Sequence, residues 1–258
     1  MNNIKKTIIF DLDETLGYFT EFGSFCDCLD TYFKDKSYSN THFKTLLDLY
    51  PEFLRPYIID ILKYITLKKQ QNKCYKVMIY TNNNGPKNWV KNISKYFDDT
   101  IKYNLFDQII SAFKIKGEPI ELSRTTYDKT IDDLFRCTKL PDNIEICFID
   151  DSYHDGMSDE RVYYINVKPY RHNLHIDELI KRYLGSKLSK DISNIHDFVT
   201  TIKHEFKIYD YNTNLKLNKE QEIDSIIGKK MYQHIRVFFS DDDNKNPKRN
   251  SLHKQKTK

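Results

Sequence analysis

One stretch limits the fold of this chain more than any other: Thr7-Ile8-Ile9-Phe10, followed at once by Asp11-Leu12-Asp13-Glu14-Thr15-Leu16. Its first half is an uncharged β-branched and aromatic run, the pattern of a buried strand. Its second half sets two carboxylates two positions apart and a hydroxyl two positions further on. Burying paired like charges is costly unless a cation or hydrogen-bond donors accompany them, so packing alone does not explain such an ending. In an open α/β sheet the carboxyl ends of the strands are where ligands sit. The pattern therefore predicts a divalent-metal site in which one carboxylate stays able to act as a nucleophile.

Later segments repeat this design. Ile144–Ile149 is apolar and stops at Asp150-Asp151-Ser152. Tyr75–Tyr80 reads as a third buried strand and ends in Thr81-Asn82-Asn83-Asn84-Gly85-Pro86, after which Trp89, Val90, Ile93, Tyr96 and Phe97 recur at helical spacing. A hydroxyl and backbone donors at a helix entrance suit phosphate oxygens. Leu105–Phe113 reads as a short core strand with its approach loop, and Val162–Val167 as a further strand. Helices are predicted over Thr20–Lys34 and Phe43–Tyr50, and from Tyr57 to Ile65 with Pro56 in the first turn. Others are predicted from about Tyr127, over Ile176–Leu184, over Asp191–Phe206 with Asp191 or Ser193 as cap, and over Asn218–Ile227. The aromatic segment Met231–Phe239 is expected to return and pack on the domain, and Lys114–Thr126 reads as a polar stretch.

Strands alternating with helices predict an α/β fold with a doubly wound, Rossmann-like parallel sheet. Residues 1–185 form the expected core, with 17–50 as a small helical insertion, 186–239 as a helical extension and 240–258 as a disordered basic tail. No run approaches the ~18 apolar residues of a membrane span. The first strand begins too early to leave room for a secretory signal. Five cysteines, odd in number and without paired zinc spacing, read as reduced thiols of an intracellular protein. A net charge of +4 is too small to indicate nucleic-acid binding, although the tail from Lys245 to Lys258 could make weak phosphate contacts.

Asp11-Leu12-Asp13-Glu14-Thr15-Leu16 resembles the first motif of the haloacid-dehalogenase-like phosphohydrolases, and its wording is closest to the NLI-interacting-factor-like, or C-terminal-domain, phosphatases. Arg55-Pro56 before the next core helix and Tyr127-Asp128-Lys129 resemble further segments of that family; Arg55 is read as structural. Thr81 matches the Ser or Thr of the superfamily's second motif, and Asp150-Asp151 the last. The chain departs from its nearest relatives in carrying Thr-Asn-Asn where they have Thr-Ala-Ser, and Asp-Asp where they have Asp-Asn.

The resemblance implies phosphoryl transfer to Asp11, with Asp13 as general acid and base. Its cofactor would be Mg²⁺, held by Asp11, the Asp13 carbonyl and Asp151, with Asp150 a further ligand or a supporting partner. Lys129 is the expected neutralising cation and Lys116 the alternative. Thr81, Asn82 and Thr15 are the candidate phosphate-side contacts, Thr15 rather orienting Asp13 and its turn. Glu14 is read as pointing away, and His154 as a surface residue. The 17–50 insertion takes the place of a cap that roofs the site. The substrate implied is a phosphorylated protein serine or threonine. The alternatives are a nucleotide, a nucleic-acid end or a small phosphate ester, or a phosphate-binding protein without turnover.

Overall fold

The computed structural model describes residues 4–86, 88–209 and 217–240, so the tail beyond Ser240 lies outside the described residues. The strands are β1 (Lys5–Phe10), β2 (Lys76–Tyr80), β3 (Gln108–Ile110), the short β4 (Lys114–Ile115) and β5 (Glu118–Pro119), β6 (Ile144–Asp150) and β7 (Val162–Asn166). Five of them form one parallel sheet in the order β3-β2-β1-β6-β7, while β4 and β5 make a separate antiparallel hairpin inside the stretch read as polar loop.

This order carries the site. Phe10 pairs with Ile79 of β2 on one side and Ile149 of β6 on the other. Asp11, Thr81 and Asp150 therefore stand at the ends of three neighbouring strands, on the carboxyl edge of the sheet. Successive side chains of a strand point to opposite faces. Ile8, Phe10, Val77, Ile79, Cys147 and Ile149 face the larger core, and Ile9, Met78, Tyr80, Ile146 and Phe148 the smaller one. Apolar cover on both faces explains why these strands read as continuous hydrophobic runs.

The helices are α1 (Thr20–Phe33), α2 (Tyr38–Thr41), α3 (Phe43–Asp48), α4 (Ile58–Gln70), α5 (Trp89–Ile101), α6 (Ile131–Thr138), α7 (Ile176–Leu184), α8 (Ile195–Lys207) and α9 (Asn218–Ser240). Leu134 of α6 lies in the smaller core, and the other long helices contribute to the larger one, completing the doubly wound α/β arrangement with a helical C-terminal region. Phe198, Ile202 and Phe206 of α8 share that core with Phe22, Phe25 and Leu29 of α1, and the Phe198 ring stacks on Tyr183 of α7.

Several boundaries differ from those expected. α4 starts at Ile58 behind a left-handed Tyr57 (φ 67°), which puts Pro56 outside the helix. α6 starts at Ile131 with Thr130 accepting from the Asp133 amide, so Lys129 lies in the loop before it. α8 is capped by Asn194, whose side chain accepts from the Asp197 amide, and not by Asp191 or Ser193. Asn218–Ile227 and Met231–Phe239 are parts of one 23-residue helix. Gly228, between those two stretches, is a contact: a Cβ there would lie 2.3 Å from the Pro56 carbonyl oxygen, so only glycine lets α9 lie on that loop.

Glu21, in the first turn of α1, is 0% exposed. Its carboxylate accepts from the Leu174 amide and the Asn173 side chain, tying α1 to the loop after β7. Burial pushes its pKa up from 4.5 to about 7 against these two bonds. The folded chain thus holds this proton more tightly than the unfolded chain. The associated stability is fully present below pH 4.5, declines as pH rises, and is gone above about 7. Glu21→Gln should therefore raise stability at pH 8 by up to ~3 kcal/mol, with no gain at pH 4. Denaturant melts at the two pH values check this, and a pH-independent difference would contradict it.

Candidate active site

The Asp11 amide donates to the Ile149 carbonyl (2.8 Å), which brings the first acidic turn against the last one. Carboxylate oxygens of Asp11, Asp150 and Asp151 all lie within 4.8 Å of one another. The Lys129 ammonium bridges two of them, 2.5 Å from Asp11 Oδ1 and 2.7 Å from Asp150 Oδ2. Lys116 takes no part in this bridge: it occupies the exposed turn of the β4–β5 hairpin at φ 51°.

Asp150 is the most fully partnered of the acids. Besides Lys129, its Oδ1 accepts from the Ser152 amide (2.9 Å), and His154 Nε2 lies 3.5 Å from its Oδ2. Asp151 instead pairs with Thr15, whose hydroxyl donates to Asp151 Oδ1 and accepts from the Asp151 amide, both at 3.0 Å. Thr15 is fully buried by this exchange and does not line the cavity.

The β2 end supplies the opposite wall. Thr81 Oγ1 accepts from the Asn83 amide (3.0 Å), a tight turn that swings the Asn83 side chain inward. Asn83 Nδ2 then donates to Asp13 Oδ2 at 2.7 Å, and Asn83 Oδ1 is fixed by the Gly85 amide at 2.9 Å. Asn82, the expected contact, also lines the cavity but ties its amide to the Tyr127 carbonyl (3.0 Å). Arg55 donates to the backbone oxygens of Thr15, Glu14 and Lys168, which holds the Asp11–Thr15 turn from behind.

Charge is unevenly balanced here. Burial raises the Asp11 carboxyl, an effect that Lys129 opposes and Asp150 reinforces. Burial also raises Asp13 against the Asn83 bond, and raises Asp151. Asp150 alone is held low, since His154 and Lys129 together outweigh its burial. The Lys129 ammonium is raised in turn, its two carboxylates overcoming the cost of burying it. One lysine thus serves Asp150 well and leaves Asp11 and Asp151 short of positive charge. Closely spaced hard oxygen donors with unbalanced negative charge fit a divalent cation such as Mg²⁺.

A cavity of about 700 Å³ opens over this cluster. Thr20, Gly23, Ser24 and Asp27, one stripe of α1, form one wall, and Asn83–Pro86 with Trp89 line the cavity too. Glu14 does not point away: it lines the rim and pairs with Arg171 at 3.0 Å. His154 likewise lines the cavity, its side chain only 12% exposed. Asn83 and Arg171 are site groups not singled out from the sequence, and His154 is one that reads there as a surface residue. For Asn83, the signal was a threonine two positions earlier, the start of a hydroxyl-capped turn.

A family model described as NLI interacting factor-like phosphatase matches residues 6–200. Neither the curated proteins nor the solved structures include a significant match.

Proposed function

Because the chain belongs to the NLI interacting factor-like phosphatases of the haloacid-dehalogenase type, we propose a Mg²⁺-dependent phosphomonoesterase that works through an aspartyl-phosphate on Asp11. The observation that carries this reading is the convergence of Asp11 with Asp150 and Asp151, 139 and 140 positions later, around Lys129. Asp11 attacks phosphorus in line, and its new P–O bond forms as the bond to the leaving oxygen breaks. Asp13, oriented by Asn83, gives its proton to that oxygen. It then takes a proton from the water that cleaves the aspartyl-phosphate, which releases inorganic phosphate and restores Asp11. Lys129 offsets charge on Asp11 and on the transferred group, while Thr81 and Asn82 flank the phosphate side. Asp11, Asp151 and the Asp13 carbonyl would hold Mg²⁺, which when bound offsets the repulsion between carboxylate and phosphate dianion. Asp150, occupied by Lys129, Ser152 and His154, supports the lysine.

For the substrate, the Asp-Leu-Asp-Glu-Thr-Leu wording and the trough between α1 and Asn83–Pro86 favour a phosphoserine or phosphothreonine side chain with adjoining backbone. Five cysteines without a disulfide favour a reducing, intracellular setting, and among the described residues no helix is long and apolar enough to cross a membrane. Phosphate release from phosphoserine peptides, a 5′-phosphorylated oligonucleotide and sugar phosphates tests the reading. Turnover should vanish with EDTA and return with Mg²⁺, and kcat/KM should favour the peptides by about tenfold or more, ~1.4 kcal/mol of discrimination. Preference for the oligonucleotide would move the substrate to nucleic-acid ends. No turnover of any of them with Mg²⁺ would reduce the chain to a binding protein.

A further inference from the structure

Arg124 lies in the segment that reads as polar loop, yet it is only 2% exposed. No carboxylate pairs with it among the described residues; its guanidinium donates to four backbone carbonyls. Nη1 reaches Thr81 (3.2 Å) and Ser111 (2.9 Å), and Nη2 reaches Tyr127 (2.9 Å) and Asp128 (3.4 Å). The guanidinium carbon sits 4.8 Å from the Tyr80 ring centroid, and the Tyr80 hydroxyl accepts from the Thr130 amide (3.4 Å). Burying an unpaired cation is costly, and a neutral residue would fill the same volume more cheaply. What a neutral residue lacks is a rigid planar fork whose two ends bond in different directions. Here one end grips the ends of β2 and β3, and the other grips the two residues before Lys129.

We propose that Arg124 is a positioning residue, which sets Lys129 and Thr81 at the separation that a transferred phosphoryl group needs. The inference rests on the phosphatase reading above, since it concerns two groups of that site. Arg124 touches no reacting atom, and it does not line the cavity. Its effect is geometric, and a displacement of about 1 Å at such groups can cost ~10²-fold in rate.

Arg124→Lys is the decisive variant, because an ammonium keeps the charge but cannot hold both ends of the fork. Arg124→Met removes both, and Leu134→Ala is a control that loosens α6 without removing a hydrogen bond. With each variant assayed well below its own Tm, kcat on an aryl phosphate should fall about 10²-fold for Arg124→Met and at least about tenfold for Arg124→Lys. For Leu134→Ala it should stay within about threefold despite a lowered Tm. Amide hydrogen exchange reads the clamp without turnover: protection should drop at 81–83 and 125–131 in Arg124→Lys. Arg124→Lys with wild-type kcat and wild-type protection would overturn the proposal, including the case in which Arg124→Met does not fold. If the wild-type chain hydrolyses nothing while the exchange result holds, the failure belongs to the phosphatase reading and not to the clamp.

Discussion

Asp11→Asn will lower kcat by at least about 10⁴-fold while leaving the fold intact, because it removes the attacking oxygen and almost nothing else. Asparagine is close to isosteric, and its carbonyl can still accept from Lys129, which also keeps Asp150 at 2.7 Å. The stability change should have the opposite sign to the activity change. Burial lifts the Asp11 carboxyl from 3.8 to about 7, so in metal-free protein its ionised form is the disfavoured one. Whatever stability the protonated form provides is complete below pH 3.8 and lost as pH rises through about 7. A neutral amide escapes that loss. The metal-free variant should therefore melt above wild type at pH 8 and close to it at pH 4. Adding Mg²⁺ should reverse the order at pH 8, since the wild type binds the ion with a carboxylate the variant lacks. Measurable turnover by Asp11→Asn would remove Asp11 as nucleophile. A variant that melts lower at pH 8 without metal would contradict the charge balance described for the cluster.

What could be read before any coordinates follows from which interactions are local. β1 and β6 announce themselves because both faces of each are covered, so Ile8–Phe10 and Ile146–Ile149 are unbroken apolar runs up to Asp11 and Asp150. Polar residues at such ends have few explanations, and sheet order then brings them together. Asn83 was harder than Asn82 because its role depends on a turn: the Thr81 hydroxyl takes the Asn83 amide, and the Asn83 side chain reaches Asp13. His154 follows the acidic pair like any loop residue, and only the approach of its ring to Asp150 distinguishes it. Arg124 is illegible for a stronger reason. Its partners are backbone carbonyls on three segments, and a backbone acceptor has no signature in side-chain identity. The need for glycine at 228 likewise comes from a backbone group, the Pro56 carbonyl packed against it.

Lys129→Met should cost both stability and rate. The Lys129 side chain is 2% exposed and its ammonium stands between two carboxylates, so its removal leaves Asp11 and Asp150 facing each other inside the protein. Breaking a buried pair by deleting one partner typically costs ~3–5 kcal/mol, well above the loss of a surface ion pair. Losing a preorganised cation at the transferred group should lower kcat by about 10²–10³-fold. The pH dependence identifies the cause. The lysine's own pKa is raised above 10.5 by its two carboxylates, so its contribution is fully present at pH 8 in the wild type. In the metal-free variant the carboxylates relieve their repulsion by taking up protons. The stability gap to wild type should thus narrow as pH falls from about 8 to about 5. Mg²⁺ should narrow the gap too, because a divalent ion supplies charge to the same oxygens, but it should not restore turnover. Urea melts at both pH values, with and without Mg²⁺, distinguish this from simple cavity formation, which would leave a gap indifferent to protons and metal. If turnover instead stayed within a few-fold of wild type, the neutralising role would need another cation. Lys116, in its exposed hairpin turn, could take it only if the β4–β5 hairpin folded over the cavity.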